Sequence, residues 1–168
     1  MTAARGAAAS PAGRVRRAGA RDLDRLAALF AGLVAHHRPL GPAWDARSDA
    51  EVARAARDWL RAELRDPDAR VLCLDADGDL LAFLVARVAR RPPIFRETTR
   101  GSVDHLVVRP DARRRGLGRA LVAEAAAWLR GQGATRLEVA VARGNAEGAG
   151  FWRALGFEPA MDVLDRPL

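Results

Sequence analysis

In Val107-Val108-Arg109-Pro110-Asp111-Ala112-Arg113-Arg114-Arg115-Gly116-Leu117-Gly118-Arg119-Ala120-Leu121-Val122 an apolar strand runs through a glycine-punctuated turn straight into a helix. Ser102 to Arg109 reads as the strand, closed by Pro110, which cannot donate to a ladder. Ala120, Leu121, Ala125, Trp128 and Leu129 share the buried side of the helix, and Gly131 and Gly133 end it. A helix entrance carries free N–H groups and a partial positive charge, which makes it a seat for anions. Gly116 and Gly118 present no Cβ to an approaching ligand. Arg109, Arg113, Arg114, Arg115 and Arg119 crowd the same turn, with Asp111 as the one local acid. Guanidinium forks match phosphate oxygens, so the turn asks for a phosphorylated partner. It is no dinucleotide fingerprint, lacking the third glycine, and no P-loop, because the chain has no Lys.

On the N-terminal side, Val15-Arg16-Arg17 is a short strand candidate. A helix opens near Asp22, with Leu23, Leu26, Ala27, Phe30 and Val34 at helical spacing, and closes at His36-His37-Arg38-Pro39. Ser48 with Glu51 three residues on forms a capping box for a second helix, whose stripe is Val52, Ala56, Trp59, Leu60 and Leu64. The period then shortens to two. Arg70–Asp75 and Leu80–Val88 are strands joined by the hairpin signal Asp77-Gly78, and Arg90–Arg100, with two prolines, is a loop. After the quoted stretch come a strand over Thr135–Val141, a short helix from Asn145 to Leu155, and a last strand through Met161–Leu164. The order β-α-α-β-β-β-α-β-α-β predicts an α/β fold with a mixed sheet and helices on both faces.

The 168 residues suit one domain, expected over 13–168 behind a disordered tail at 1–12. All 28 basic residues are Arg, against 21 acids, for a net charge of +7. Arg for Lys throughout, with abundant Ala, Gly and Pro, follows from a GC-rich codon bias, so the charge alone does not argue for nucleic acid. Aromatic residues are 5% of the chain and do not interleave with the arginines, so no stacking platform is indicated. The lone Cys73 excludes a disulfide framework and a Cys-based zinc site, and sits in the run Val71-Leu72-Cys73-Leu74 as a small buried thiol. Adjacent His36 and His37 diverge by about 100° on a helix, so no metal is expected there. No apolar run is long enough to span a bilayer, and the expectation is a cytoplasmic protein without a membrane partner.

Arg113-x-x-Gly116-x-Gly118 resembles the Q/R-x-x-G-x-G/A signature of the GNAT superfamily of N-acetyltransferases. Asn145-Ala146-Glu147-Gly148-Ala149-Gly150-Phe151-Trp152-Arg153-Ala154-Leu155-Gly156-Phe157 is similar to that family's N-x-x-A-x-x-F-Y-x-x-x-G-F segment, with one helix and one strand between the blocks. The resemblance covers roughly residues 14 to 160. It implies a largely antiparallel sheet splayed between two strands, with acetyl-CoA as co-substrate in the wedge. Backbone N–H groups of Arg114, Arg115, Gly116, Leu117 and Gly118, with Arg119 and Ala120, would hold the pyrophosphate, and Arg113 opens the signature. Leu106, Val107 and Val108 would pair with the pantetheine arm, and Asn145 and Trp152 would lie near its thioester end. Many relatives pair as dimers, so a homodimer is one assembly open to this chain, and no apolar strip in the sequence identifies an interface.

Acetyl transfer to an amine needs a neutral nucleophile, a polarised carbonyl and a proton for the leaving thiolate. Asp104 and His105 are the polar pair on the strand entering the turn and the candidates for the base; alternation along a strand lets only one of them face the substrate. The family's usual general acid is a Tyr where this chain has Trp152, and the chain contains no Tyr. Water or another side chain then reprotonates the thiolate, or that step does not limit turnover, or turnover is slow. The acceptor, a small-molecule or peptide amine, is expected between the His36–Ser48 connection and the Arg90–Arg100 loop, with His36, Trp44, Phe95 and Glu97 as contacts. Glu97, Asp45 and Asp49 suit a cationic amine, whereas Arg90, Arg91 and Arg96 suit a carboxylate. Two other readings remain: an acyl-CoA-binding module without catalysis, and a basic nucleic-acid-binding domain.

Overall fold

The computed structural model describes residues 13–41, 46–76, 78–164 and 166. Five strands and four α-helices follow in the order β1 (Arg14–Arg17), α1 (Leu23–His37), α2 (Asp49–Glu63), β2 (Ala69–Ala76), β3 (Asp79–Arg90), β4 (Thr99–Val108), α3 (Leu117–Gly131), β5 (Leu137–Val139) and α4 (Ala146–Arg153). The sheet order is β1-β2-β3-β4-β5. Every neighbouring pair is antiparallel except β4 and β5, which run parallel.

Period-two alternation in β2 and β3 builds two cores. Val71, Cys73, Phe83 and Val85 face Leu23, Leu26, Ala27, Ala56 and Leu60 of α1 and α2. Leu72, Leu74, Leu84 and Ala86 face Leu117, Leu121, Ala125 and Leu129 of α3. Leu26, Leu60, Leu84 and Leu121 have no solvent exposure, and each contributes about 1.5–3 kcal/mol of transfer free energy. Burial pushes the Cys73 thiol up to about 12, so it behaves as an apolar side chain. The capping box at the start of α2 forms, with the Ser48 N–H donating to Glu51 Oε2 at 3.2 Å. The turn into α1 is pinned by Asp22, fully buried, which accepts two bonds from Arg16 (2.7 and 2.9 Å) and one from Arg25 (2.8 Å).

Two features differ from expectation. Residues 157–164 form no strand, and Met161, Val163 and Leu164 are more than four-fifths exposed. Apolar pattern supplies the side chains of a strand but not its ladder, and Pro159 removes one donor from this segment. The strand anticipated over Thr135–Val141 is regular only from Leu137 to Val139. Among the described residues no helix is long and apolar enough to cross a membrane.

Candidate active site

Strand β5 pairs with β4 only over Gly101↔Leu137, Ser102↔Glu138 and Val103↔Val139, while β4 continues to Val108. From Asp104 onward the β5-side edge of β4 therefore has no partner strand, and alternate residues turn N–H and C=O groups into the gap. The gap opens a cavity of about 860 Å³, bounded by α1, by β4 from Val103 to Val108, by the turn into α3, by residues 139–142 and by α4. Leu106, Val107 and Val108 all line it.

At one end stands the turn Arg113–Gly118. Arg114 has φ 62° and Gly116 φ 80°, two left-handed residues either side of Arg115. Such alternation of hand turns successive N–H groups toward one side and forms an anion-binding concavity. For Arg114 the conformation costs about 1 kcal/mol. Among the described residues, no hydrogen bond occupies the backbone N–H groups of Arg114 to Arg119. Ala120 is different: its N–H is spent on the Gly116 carbonyl at 3.1 Å, the first bond of α3, and it does not line the cavity. Arg115 also points elsewhere than the cavity wall, whereas Arg113, Arg114, Gly116, Leu117, Gly118 and Arg119 form it. The two glycines serve different ends. A Cβ on Gly116 would meet nothing within 4 Å, so the space in front of it is open to a ligand; one on Gly118 would lie 3.1 Å from the Phe151 ring, so that glycine lets α4 pack against α3.

The arginines are better compensated than the turn alone indicates. Arg109 pairs with Asp111 at 2.7 Å and with Asp79 at 3.4 Å, and Arg113 with Glu147 of α4 at 3.2 Å. Arg114, Arg115 and Arg119 form no ion pair among the described residues, leaving three guanidinium groups near the open N–H turn. These observations fit a diphosphate: free donors, unpaired cations and room at Gly116.

At the other side of the wedge, Asn145 caps α4 by accepting from the Gly148 N–H at 2.8 Å. Its Nδ2 lies 3.2 Å from His37 Nε2, and His37 Nδ1 lies 2.9 Å from the Leu33 carbonyl. A carbonyl can only accept, so Nδ1 carries the proton and Nε2 accepts from Asn145. His37 thus ties α1 to α4, a role that spacing on the helix did not reveal. Trp152 is buried, edge-on to Phe151 and Phe157 with ring centroids 5.0 Å from each. It lines the cavity as an apolar wall and offers no acidic proton.

Asp104 and His105 both line the cavity, contrary to simple alternation. The β3–β4 register steps from Val85↔His105 to Ala86↔Val103, so Asp104 is the extra residue of a bulge. A bulge bends the strand and breaks its two-residue repeat. Asp104 accepts from the Ser102 hydroxyl at 2.6 Å and from Arg87 Nε at 3.4 Å, while Arg87 also holds Glu63 and Asp66 at 2.5 Å each. His105 has no hydrogen-bond partner among the described residues and sits against the rings of Phe30 and Trp59. Burial pushes its imidazole below the ordinary value; the neighbouring Asp104 carboxylate pulls it back and His37 adds to the lowering.

Of the expected acceptor contacts, His36 lines the cavity. Phe95 and Glu97 do not. The 91–98 loop joins β3 to the far end of β4, and at about 3.3 Å per residue it lies roughly 20 Å from His105. There Phe95 stacks beneath Arg91, and Glu97 binds Thr135, Arg100 and Arg136 at the start of β5, where the Thr135 hydroxyl and Arg100 hold its carboxyl below the usual range. Trp44 lies outside the described residues.

The Acetyltransferase (GNAT) family model matches residues 33–157. An L-methionine sulfoximine/L-methionine sulfone acetyltransferase of Pseudomonas paraeruginosa is 32% identical over 146 residues, spanning 86% of this chain and 79% of that protein. Among solved structures, a GCN5-related N-acetyltransferase from Ralstonia eutropha JMP134 superposes with a TM-score of 0.72 at 24% identity, over 93% of this chain and 98% of that one. The aminoglycoside N-acetyltransferase AAC(6')-Iy in complex with CoA gives 0.70 at 17% identity, over 92% and 98%. The chain belongs to the GNAT family and is an N-acetyltransferase.

Proposed function

We propose that this enzyme transfers the acetyl group of acetyl-CoA to the primary amine of a small, amino-acid-like molecule by direct attack on the thioester. The observation that carries this reading is the parting of β4 from β5 beyond Val103 and Val139, which joins an unpaired strand edge to the N–H turn at Arg114–Gly118. The diphosphate rests on that turn with Arg114 and Arg119 alongside, and the pantetheine amides pair with the β4 edge at Leu106–Val108. Acetyl-CoA supplies the activated thioester; a β4 backbone N–H in the gap polarises its carbonyl.

His105 is the base. An alkyl ammonium has a pKa near 10.4, so it must lose a proton before it can attack. A neutral imidazole with no hydrogen-bond partner among the described residues can take that proton, directly or through water, whereas Asp104 is committed to Ser102 and Arg87. The amine nitrogen bonds to the acetyl carbon as the C–S bond breaks. A thiol of ordinary pKa, about 8.5, leaves as thiolate without strong acid assistance, so the loss of the usual Tyr at Trp152 is tolerable with solvent as the proton donor.

The acceptor class follows from the other half of the cavity. Leu29, Leu33 and His36 of α1 face β4, and the carboxylates lining the cavity among the described residues are Asp104 and Glu147, each paired with Arg. A polycationic acceptor such as an aminoglycoside needs several free carboxylates, whereas a compact amine with one apolar arm does not. The methionine sulfoximine acetyltransferase relative supports the same choice. Thiol release should be followed with acetyl-CoA and a panel holding methionine sulfoximine, methionine sulfone, other α-amino acids and an aminoglycoside. Turnover on the amino-acid members, and a loss of at least a hundredfold in kcat for His105→Gln, are expected. CoA binding with no turnover on any amine would instead mark a non-catalytic acyl-CoA-binding module.

A further inference from the structure

We propose that Phe30 and Trp59 are positioning residues, a pair of rings that clamps the His105 imidazole in one orientation at the cavity wall. This rests on the reading of His105 as the base. The three rings form a closed triangle: Phe30 to His105 5.0 Å, Trp59 to His105 5.1 Å and Phe30 to Trp59 5.1 Å between centroids. The imidazole stands at 83° to both neighbours, the edge-to-face geometry that aromatic rings prefer. Three elements meet there, since Phe30 comes from α1, Trp59 from α2 and His105 from β4.

Glu63, one turn beyond Trp59 on α2, is bonded to Arg87 at 2.5 Å, and Arg87 reaches Asp104, next to His105, at 3.4 Å. Glu63 is buried without lining the cavity, and the bond from Arg87 offsets its burial.

The clamp does two things for catalysis. It removes the rotational freedom of a ring that has no hydrogen bond among the described residues to orient it, and it keeps water from one side of the imidazole, which favours the neutral form that can accept a proton. The charged and titratable groups around His105 are Asp104 on its own strand, His36 and His37 on α1, and the Glu63–Arg87 pair behind Trp59 and Asp104.

The test combines NMR titration of the His105 imidazole with the pH profile of kcat/KM in Trp59→Ala, Trp59→Phe, Phe30→Leu and His105→Gln. Opening the triangle with Trp59→Ala should raise the His105 titration toward the ordinary 6.5, move the acid limb of kcat/KM upward by the same amount, and lower the plateau kcat roughly ten- to a hundredfold. The KM for acetyl-CoA should hold, and Trp59→Phe, which keeps a ring, should restore both titration and rate. Phe30→Leu carries the same expectation should Trp59→Ala fold poorly. A His105 titration unmoved by Trp59→Ala and Phe30→Leu would overturn the clamp, whatever His105→Gln does. Undiminished kcat in His105→Gln would defeat the base assignment instead, and with it the catalytic purpose of the clamp.

Discussion

Gly116 carries the sharpest prediction at the scale of single residues. Its φ of 80° is left-handed, and open space lies where a Cβ would stand. A β-branched side chain there is strained and occupies the volume assigned to the diphosphate. Gly116→Val should cost about 1–2 kcal/mol of stability and abolish the rise in Tm expected of the parent with CoA. A variant that still gained the parent's Tm increment would show that the diphosphate binds elsewhere. Gly118 looks equivalent in the sequence and is not, because its missing Cβ makes room for Phe151 rather than for a ligand. That difference depends on Phe151, in a helix 33 residues further along the chain, and no local pattern announces it.

The tie between α1 and α4 belongs to the scale of elements. Asn145 accepts from Gly148 with one end of its amide and donates to His37 with the other. Asn145→Ala removes both, and should cost about 1 kcal/mol through the lost cap. Asn145→Asp keeps the acceptor for Gly148 and loses the donor to His37. Urea unfolding should find Asn145→Asp close to the parent in stability, while acetyl-CoA binding weakens in both variants; equal binding in Asn145→Asp and the parent would show that the tie does not shape the wedge. The start of α4 at Asn145 was legible in the sequence, as was the capping box of Ser48 and Glu51, because each is set within one turn. The partner of the cap was not, since His37 lies more than 100 residues away. The bulge at Asp104 was equally hidden: alternation along β4 suggests that one of Asp104 and His105 faces the substrate, and only the β3 register shows that both line the cavity.

For the molecule as a whole, the buried charge at Asp22 is expected to dominate the response to acid. Arg16, first through its side-chain bonds, and then Gly19 and Arg25 hold the Asp22 carboxyl far below the usual carboxylate range against the opposing effect of burial. Because its folded pKa is depressed, Asp22 contributes stability in full above the unfolded value of about 3.9, and that contribution is lost as pH falls below it. Asp22→Asn leaves Arg16 and Arg25 facing a neutral amide, and should lose about 3 kcal/mol at neutral pH. Urea midpoints from pH 7 down to pH 3 should therefore fall less steeply in Asp22→Asn than in the parent; parallel curves would mean that other carboxylates govern acid unfolding.

The sequence by itself indicated most of the elements and the glycine turn proposed to seat an anion. Helical spacing, the Ser48–Glu51 capping box, the Asp77-Gly78 signal and the Arg113–Gly118 turn are all readable because their energetics act over a few residues. Three matters were decided only in the tertiary structure: where β4 leaves β5, which end of the sheet each loop occupies, and which rings surround His105. Glu97 and Phe95 were expected beside the substrate because their loop is polar and aromatic, yet the antiparallel β3–β4 hairpin carries that loop away from the wedge. Strand direction, register and the termination of a ladder arise from pairing between distant segments, and the free energy of that pairing is not contained in either segment alone.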